Sequence, residues 1–162
     1  WQLSTIQIDF NLPERFELSY EGKDNKKHTP VMIHRAVLGT IDRFMGIMIE
    51  HFEGKFPIWL SPVQVVIMTV SQKLDKHAAK LKNEFFEAGI RVELDDRAES
   101  IPKKVREAQL RKIPLMLTIG DKEVEKQKLA LRDRSGSVTF DVEVDEFISK
   151  LAEDIKLRKN VR

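Results

Sequence analysis

The 162-residue chain contains no cysteine. It makes no disulfide, offers no thiolate nucleophile and builds no cysteine-containing zinc site from its own side chains. That fits a cytosolic protein, and a cytoplasmic location is expected. Long apolar runs are missing too: none approaches the roughly 20 residues of a membrane-spanning helix, so no membrane association is expected. The chain opens without a basic segment and apolar core, so no secretory leader is expected; it starts at Trp1 and not at methionine, and is read as a piece of something longer. An excess of one charge is also lacking. Against 28 Lys and Arg stand 26 Asp and Glu, a net charge of +2, so global charge does not announce a nucleic-acid partner. There is no Walker loop, no G-x-G-x-x-G, no H-E-x-x-H, no internal repeat and no low-complexity tract.

What is present is a globular composition, 41% hydrophobic and 33% charged. The length suits one domain, or a small domain plus a piece of another. Charge is uneven along the chain: segments 103–112 and 156–162 are locally basic. Both suit phosphate contact, although a solvated helix face and a frayed end explain them as simply.

Residues 5–12 alternate, with Ile6, Ile8, Phe10 and Leu12 on one side and Thr5, Gln7 and Asp9 on the other. That is a strand with one polar face. Phe16, Leu18 and Tyr20 repeat the period and predict a second strand, followed by a polar turn over 21–27. An apolar stretch over 31–38 predicts a buried strand. Gly39 breaks it, Thr40 caps a helix, and Ile41, Phe44, Met45, Met48 and Phe52 lie at helical spacing up to Gly54. Residues 55–62, with Pro57 and Pro62, read as a linker.

Beyond the linker the pattern changes. Residues 63–70 form an apolar run broken only by Gln64 and Thr69, as in a buried parallel strand. Helical stripes (Leu74 to Ala88; Ile101, Val105, Ala108; Val144 to Ile155) alternate with strand-like segments 90–94 and 114–119 and a hairpin around Ser135-Gly136. The order βαβαββα predicts an α/β domain with a mixed, mostly parallel sheet flanked by helices. From composition and periodicity alone, the reading ends at a small α/β domain with a β-rich leader.

The motifs say more. The run Pro30-Val31-Met32-Ile33-His34-Arg35-Ala36-Val37-Leu38-Gly39-Thr40-Ile41-Asp42-Arg43-Phe44 resembles motif 3 of class II aminoacyl-tRNA synthetases, in its threonyl form. Trp1-Gln2-Leu3-Ser4-Thr5-Ile6-Gln7-Ile8-Asp9-Phe10 resembles the strand upstream of it. Phe56-Pro57-Ile58-Trp59-Leu60-Ser61-Pro62 resembles the passage into the anticodon-binding domain, and Ala88-Gly89-Ile90-Arg91-Val92 and Gly120-Asp121-Lys122-Glu123-Val124 continue the match. The resemblance implies three parts: 1–54, the last strands and helix of an antiparallel class II core; 55–62, a linker; 63–162, an anticodon-binding domain.

The resemblance also implies site residues. In that family a zinc ion, held by one Cys and two His, binds the amino and hydroxyl groups of threonine, which rejects analogues lacking the hydroxyl. His34 matches one of the three ligands; the others are not in this chain. Arg43 matches the motif 3 arginine that grips ATP, a planar permanent cation suited to adenine and phosphate. Gln2, Thr5, Gln7 and Thr40 match residues lining the ATP and threonine pocket. Arg106, Glu123 and Arg132 match residues that contact anticodon bases. Two departures stand out: Ala98 where the family often has Asn, and Pro102 where Gly is common. The implied partners are tRNA(Thr), threonine and ATP with Mg2+, in a parent expected to be a homodimer. Motifs 1 and 2 do not occur in this chain, so it is expected to be inactive alone and to bind neither zinc nor ATP tightly. Two alternatives stay open: a non-enzymatic tRNA- or RNA-binding accessory module on the same scaffold, and an α/β interaction domain with no RNA role.

Overall fold

The computed structural model describes residues 1–159, so the end of the basic segment 156–162 lies outside the described residues. The chain forms two compact units, Trp1–His51 and Phe52–Arg162.

The first unit begins with β1 (Thr5–Asp9), then a short helix α1 (Asn11–Arg15), the small strands β2 (Tyr20–Glu21) and β3 (Lys27–His28), β4 (Met32–Ala36) and helix α2 (Ile41–Phe52), which runs one residue past the unit. β1 pairs antiparallel with β4, and β2 with β3. The alternating strand stops at Asp9, not at Leu12, because the Asp9 carboxylate accepts the amide N–H groups of Asn11 and Leu12 and starts a helix. Pro13 sits in the first turn of α1, where no backbone donor is needed. The strand expected over 16–20 is therefore a helix end and two residues of β2. The segment expected to be a buried strand is β4, but Ile33 is 65% exposed. Helix α2 is amphipathic as its spacing predicts, yet buries no residue.

The second unit opens with a 3-10 turn (Ile58–Leu60). It continues with β5 (Val65–Thr69), a second 3-10 turn, α3 (Asp75–Glu87), β6 (Val92–Asp95), α4 (Ile101–Leu110), β7 (Leu115–Ile119), α5 (Asp121–Lys126), β8 (Lys128–Asp133), β9 (Val138–Glu143) and α6 (Val144–Lys156). The five-stranded sheet has the order β6-β5-β7-β8-β9. β5 is parallel to β6 and β7, whereas β7–β8 and β8–β9 are antiparallel, so four strands run one way and β8 the other. All five residues of β5 are buried. Val65 and Ile67 face α3 and α6, packing with Ala78, Leu81, Phe85 and Leu151. Val66 and Met68 face α4, packing with Ala108 and Met116. Each large apolar side chain buried this way contributes about 1.5–3 kcal/mol.

Two details were not expected. Helix α5 is too short to show a periodic apolar stripe. The segment 56–61 packs on the second unit: Arg91 donates to the carbonyls of Trp59 and Ser61, buried Gln64 to that of Ile58, and Arg134 to that of Phe56. Among the described residues no helix is long and apolar enough to cross a membrane.

Candidate substrate face and candidate RNA-reading face

Residues opposite each other in an antiparallel pair share a face. In β1–β4, Gln7 is opposite His34, Thr5 opposite Ala36 and Asp9 opposite Met32. Thr5, Gln7, Asp9 and His34 therefore lie on one polar face, and Ile6, Ile8 and Ile33 on the other. His34 Nε2 meets Asp9 Oδ2 at 3.0 Å. The second oxygen of Asp9 accepts the Asn11 and Leu12 amides at 2.8 and 3.0 Å. The Leu12 amide, with His34 next, holds the Asp9 carboxyl below the usual carboxylate range. An ionised carboxylate thus fixes the imidazole plane and leaves Nδ1 as the ring nitrogen not facing Asp9, the arrangement that orients histidine ligands and proton carriers. Gln7, Asp9, Asn11 and His34 line an open groove there. Among the described residues no three His, Cys, Asp or Glu side chains are grouped to hold a metal. On this face the chain presents one imidazole, oriented by Asp9.

Gly39 adopts φ +71°, and a Cβ there would stand 3.1 Å from the Leu3 carbonyl. Only glycine suits that turn, and its close approach brings the segment bearing Gln2 past the start of α2. Thr40 caps this helix, its Oγ1 3.4 Å from the Arg43 amide and its carbonyl accepting from Phe44. Arg43 is exposed, and its guanidinium has no hydrogen-bond or ion-pair partner among the described residues. The structure thus brings Thr5, Gln7 and His34 onto one face, and Thr40 and Arg43 onto one helix start. No hydrogen bond joins the two groups. Asp9 was not singled out from the sequence as a site residue; its place beside Thr5 and Gln7 on the polar side of the alternation was the available signal.

In the second unit, Arg132 is opposite Met116 and Asp95 opposite Met68, so both lie on the α4 side of the sheet. Most cations near α4 are engaged. Arg97 bonds Asp95 at 2.7 Å and Glu107 at 2.6 Å, Arg111 bonds Glu93 at 2.8 Å, and Lys103 bonds Glu99 at 2.6 Å. The guanidiniums of Arg97 and Arg111 hold the Asp95 and Glu93 carboxyls below their usual range. Arg106 is exposed and has no such partner among the described residues. Arg132 is half-buried and donates to the Gly136 carbonyl at 2.9 Å. Glu123 turns back to accept the Gly120 amide at 3.0 Å, capping α5 at the carboxyl end of β7. Arg106 and Arg132 therefore share a side of the sheet, Glu123 sits at a strand end, and no hydrogen bond links the three. A cleft of about 230 Å³ opens between 69–72 and 97–99, beyond the carboxyl ends of β5 and β6, with apolar Ala98 in its lining. Ligands of open α/β sheets commonly bind outside the carboxyl ends of the strands. Pro102 fits the first turn of α4, which Ser100 begins.

Residues 64–154 match the family described as the anticodon binding domain. Residues 1–52 match the tRNA synthetase class II core domain (G, H, P, S and T). The threonine–tRNA ligase of Desulfatibacillum aliphaticivorans is 54% identical over 98% of this chain and 25% of its own length. That of Clostridioides difficile (strain 630) is 50% identical over 99% of the chain and again 25% of its own length. The chain therefore spans about a quarter of the length of these relatives. Among solved structures, the RNA binding domain of threonyl-tRNA synthetase from Cryptosporidium parvum Iowa II matches with a TM-score of 0.81 and 38% identity, over 94% of this chain and 39% of that one.

Proposed function

Because the chain belongs to the anticodon-binding domain family over residues 64–154 and matches the class II synthetase core over residues 1–52, we propose that it is part of a threonine–tRNA ligase. The whole enzyme would activate threonine with ATP and Mg2+ to threonyl-adenylate, releasing pyrophosphate, and pass the threonyl group to tRNA(Thr). In this reading 1–54 supplies motif 3, 55–62 joins the parts and 63–162 reads the anticodon. The observation that carries the proposal is the run of 54% identity through both units, over 98% of the chain.

The residues suit these roles. Gln2, Thr5, Gln7 and Thr40 offer amide and hydroxyl groups that orient threonine and adenylate by hydrogen bonds. Positioning of this kind is a large part of catalysis in such reactions. Arg43, exposed and without a carboxylate partner among the described residues, is available to grip ATP, and its permanent charge stabilises negative charge that builds on the phosphates. Asp9 holds His34 in one orientation. A zinc ion bound through His34 and ligands outside this chain would supply Lewis acidity toward the threonine amino and hydroxyl groups. In the second unit, Arg106, Arg132 and Glu123 offer planar donors and an acceptor to splayed anticodon bases. A homodimeric parent and a cytoplasmic location belong to the same proposal.

The test compares the affinity of the chain for tRNA(Thr), at fixed salt, with that for the same tRNA with its second and third anticodon bases changed. A loss of at least tenfold, about 1.4 kcal/mol, is expected for the changed tRNA. Equal affinity for both would overturn the assignment of anticodon reading to 63–162. The chain alone is expected to show no threonine-dependent ATP–pyrophosphate exchange, and exchange above background would refute the division of labour.

A further inference from the structure

Lys104 is the most deeply buried charge in the second unit, 1% exposed. It lies on the apolar stripe of α4, in step with Ile101, Val105 and Ala108. An apolar side chain would fill that position without the cost of removing an ammonium from water. The ammonium makes no ion pair among the described residues. Its Nζ donates to two backbone carbonyls, Thr69 and Asp95, each at 2.9 Å.

Those acceptors are the last residues of β5 and β6. From them start the loops 70–72 and 96–99, which wall the cleft beyond the strand ends. One buried side chain of α4 thus ties both walls together. Two residues on, the same helix presents Arg106. Charged donors to carbonyls form stronger hydrogen bonds than neutral ones, so the distance between the two walls and the helix is tightly set. The outer pairs, Arg97–Glu107 and Lys103–Glu99, join the same loop to α4 where water competes.

We propose that Lys104 is a positioning residue for anticodon discrimination, holding both walls of the cleft in register with Arg106. It touches no base itself. The proposal rests on the anticodon-reading role given above and adds to it the device that keeps the reading face rigid.

The test uses the whole chain and reads the ratio of affinities for tRNA(Thr) and for the anticodon-changed tRNA, at a temperature where circular dichroism shows each variant folded. Lys104→Met keeps the length of the side chain and removes its donors. It is expected to lower the ratio about tenfold, as a looser site does, while affinity for the changed tRNA stays the same. Lys104→Arg, which keeps charge and donors, is expected to restore most of the ratio. A folded Lys104→Met protein with the wild-type ratio overturns the proposal. Should that variant not fold, Lys104→Gln decides: its amide reaches one carbonyl at most, so an intermediate ratio supports the proposal and an unchanged ratio overturns it. A wild-type ratio of one would defeat anticodon reading itself, and Lys104's role with it. A high wild-type ratio that the variants keep would defeat Lys104 alone.

Discussion

The two units solve the problem of burial differently. Every buried apolar residue of the core, from Ile58 to Leu151, belongs to the second unit. In the first, Pro13 alone is buried, and Ile6, Ile8 and Ile33 stand 66%, 62% and 65% exposed on the side of the strand pair opposite His34. A two-stranded pair is marginal in water unless it packs on something else. The first unit therefore presents a polar strand face without a hydrophobic core beneath it, whereas the second builds its strands on a buried core. Sequence pattern alone does not separate these cases, because an alternating strand reads the same whether its apolar face is covered or bare.

The largest effect should come from testing this difference directly. Phe85 is fully buried between the sheet and α6, its ring 6.1 Å from that of Phe147. Phe85→Ala should destabilise the second unit by about 3–5 kcal/mol. Ile33→Ala, in the first unit, should change stability by less than about 0.5 kcal/mol. Chemical denaturation followed by circular dichroism would measure both. A large loss at Ile33 would mean that its side chain is covered in solution.

Much of the fold was legible. The apolar run of β5, the stripes of α3, α4 and α6, and the hairpin about Ser135-Gly136 all carry periodic signals longer than one turn. What stayed hidden depends on single side chains. Helix α1 exists because Asp9 caps it, and α5 because Glu123 folds back on Gly120; both are too short for periodicity to register. The capping signals, Asp9 ahead of Asn11-Leu12-Pro13 and Gly120 three residues before Glu123, were the only clues available. The polar face of Thr5 and Gln7 could be read from alternation. Its closure by Asp9 onto His34 could not, since it needs the register of a strand 25 residues away. Lys104 stood in the apolar stripe of α4 and could have been marked as a buried charge, but its acceptors are main-chain atoms that no side-chain pattern reveals.

A smaller effect should come from the seam that fastens 56–61 to the second unit. The Arg91 guanidinium donates to the Ser61 carbonyl at 2.9 and 2.8 Å and to that of Trp59 at 2.8 Å. Arg91→Ala should cost about 1–3 kcal/mol, because the Ser61 carbonyl is left without its donors in a part-buried place. The same change should open the segment to limited proteolysis before the sheet unfolds. Thermal melting and timed digestion would show both. Unchanged digestion with lowered stability would mean that Gln64 and Arg134 hold the segment without Arg91.

The smallest effect concerns acid, and it bears on what α4 adds to the second unit. Glu93 and Asp95 are held below their usual carboxylate range, chiefly by hydrogen bonds from Arg111 and Arg97. A carboxylate whose pKa is lower folded than unfolded adds stability above its unfolded value, about 4, and loses it as pH falls through the folded value. The stability of the second unit should therefore decline below about pH 4 as these two groups protonate. Both pairs are partly open to water, with Glu93 43% and Arg111 53% exposed, so solvent screening limits the Glu93 share to less than about 1 kcal/mol. Glu93→Gln should flatten that part of the pH profile, and Arg111→Gln should do the same, because either change removes the pair that lowers the pKa. The melting temperature of each variant, followed between pH 6 and pH 2, would decide it. Profiles parallel to the wild type would mean that the Glu93–Arg111 pair adds nothing to the acid sensitivity, which would then rest on the other carboxyls held below their usual range, Asp95, Glu99, Asp133 and Asp141 among them.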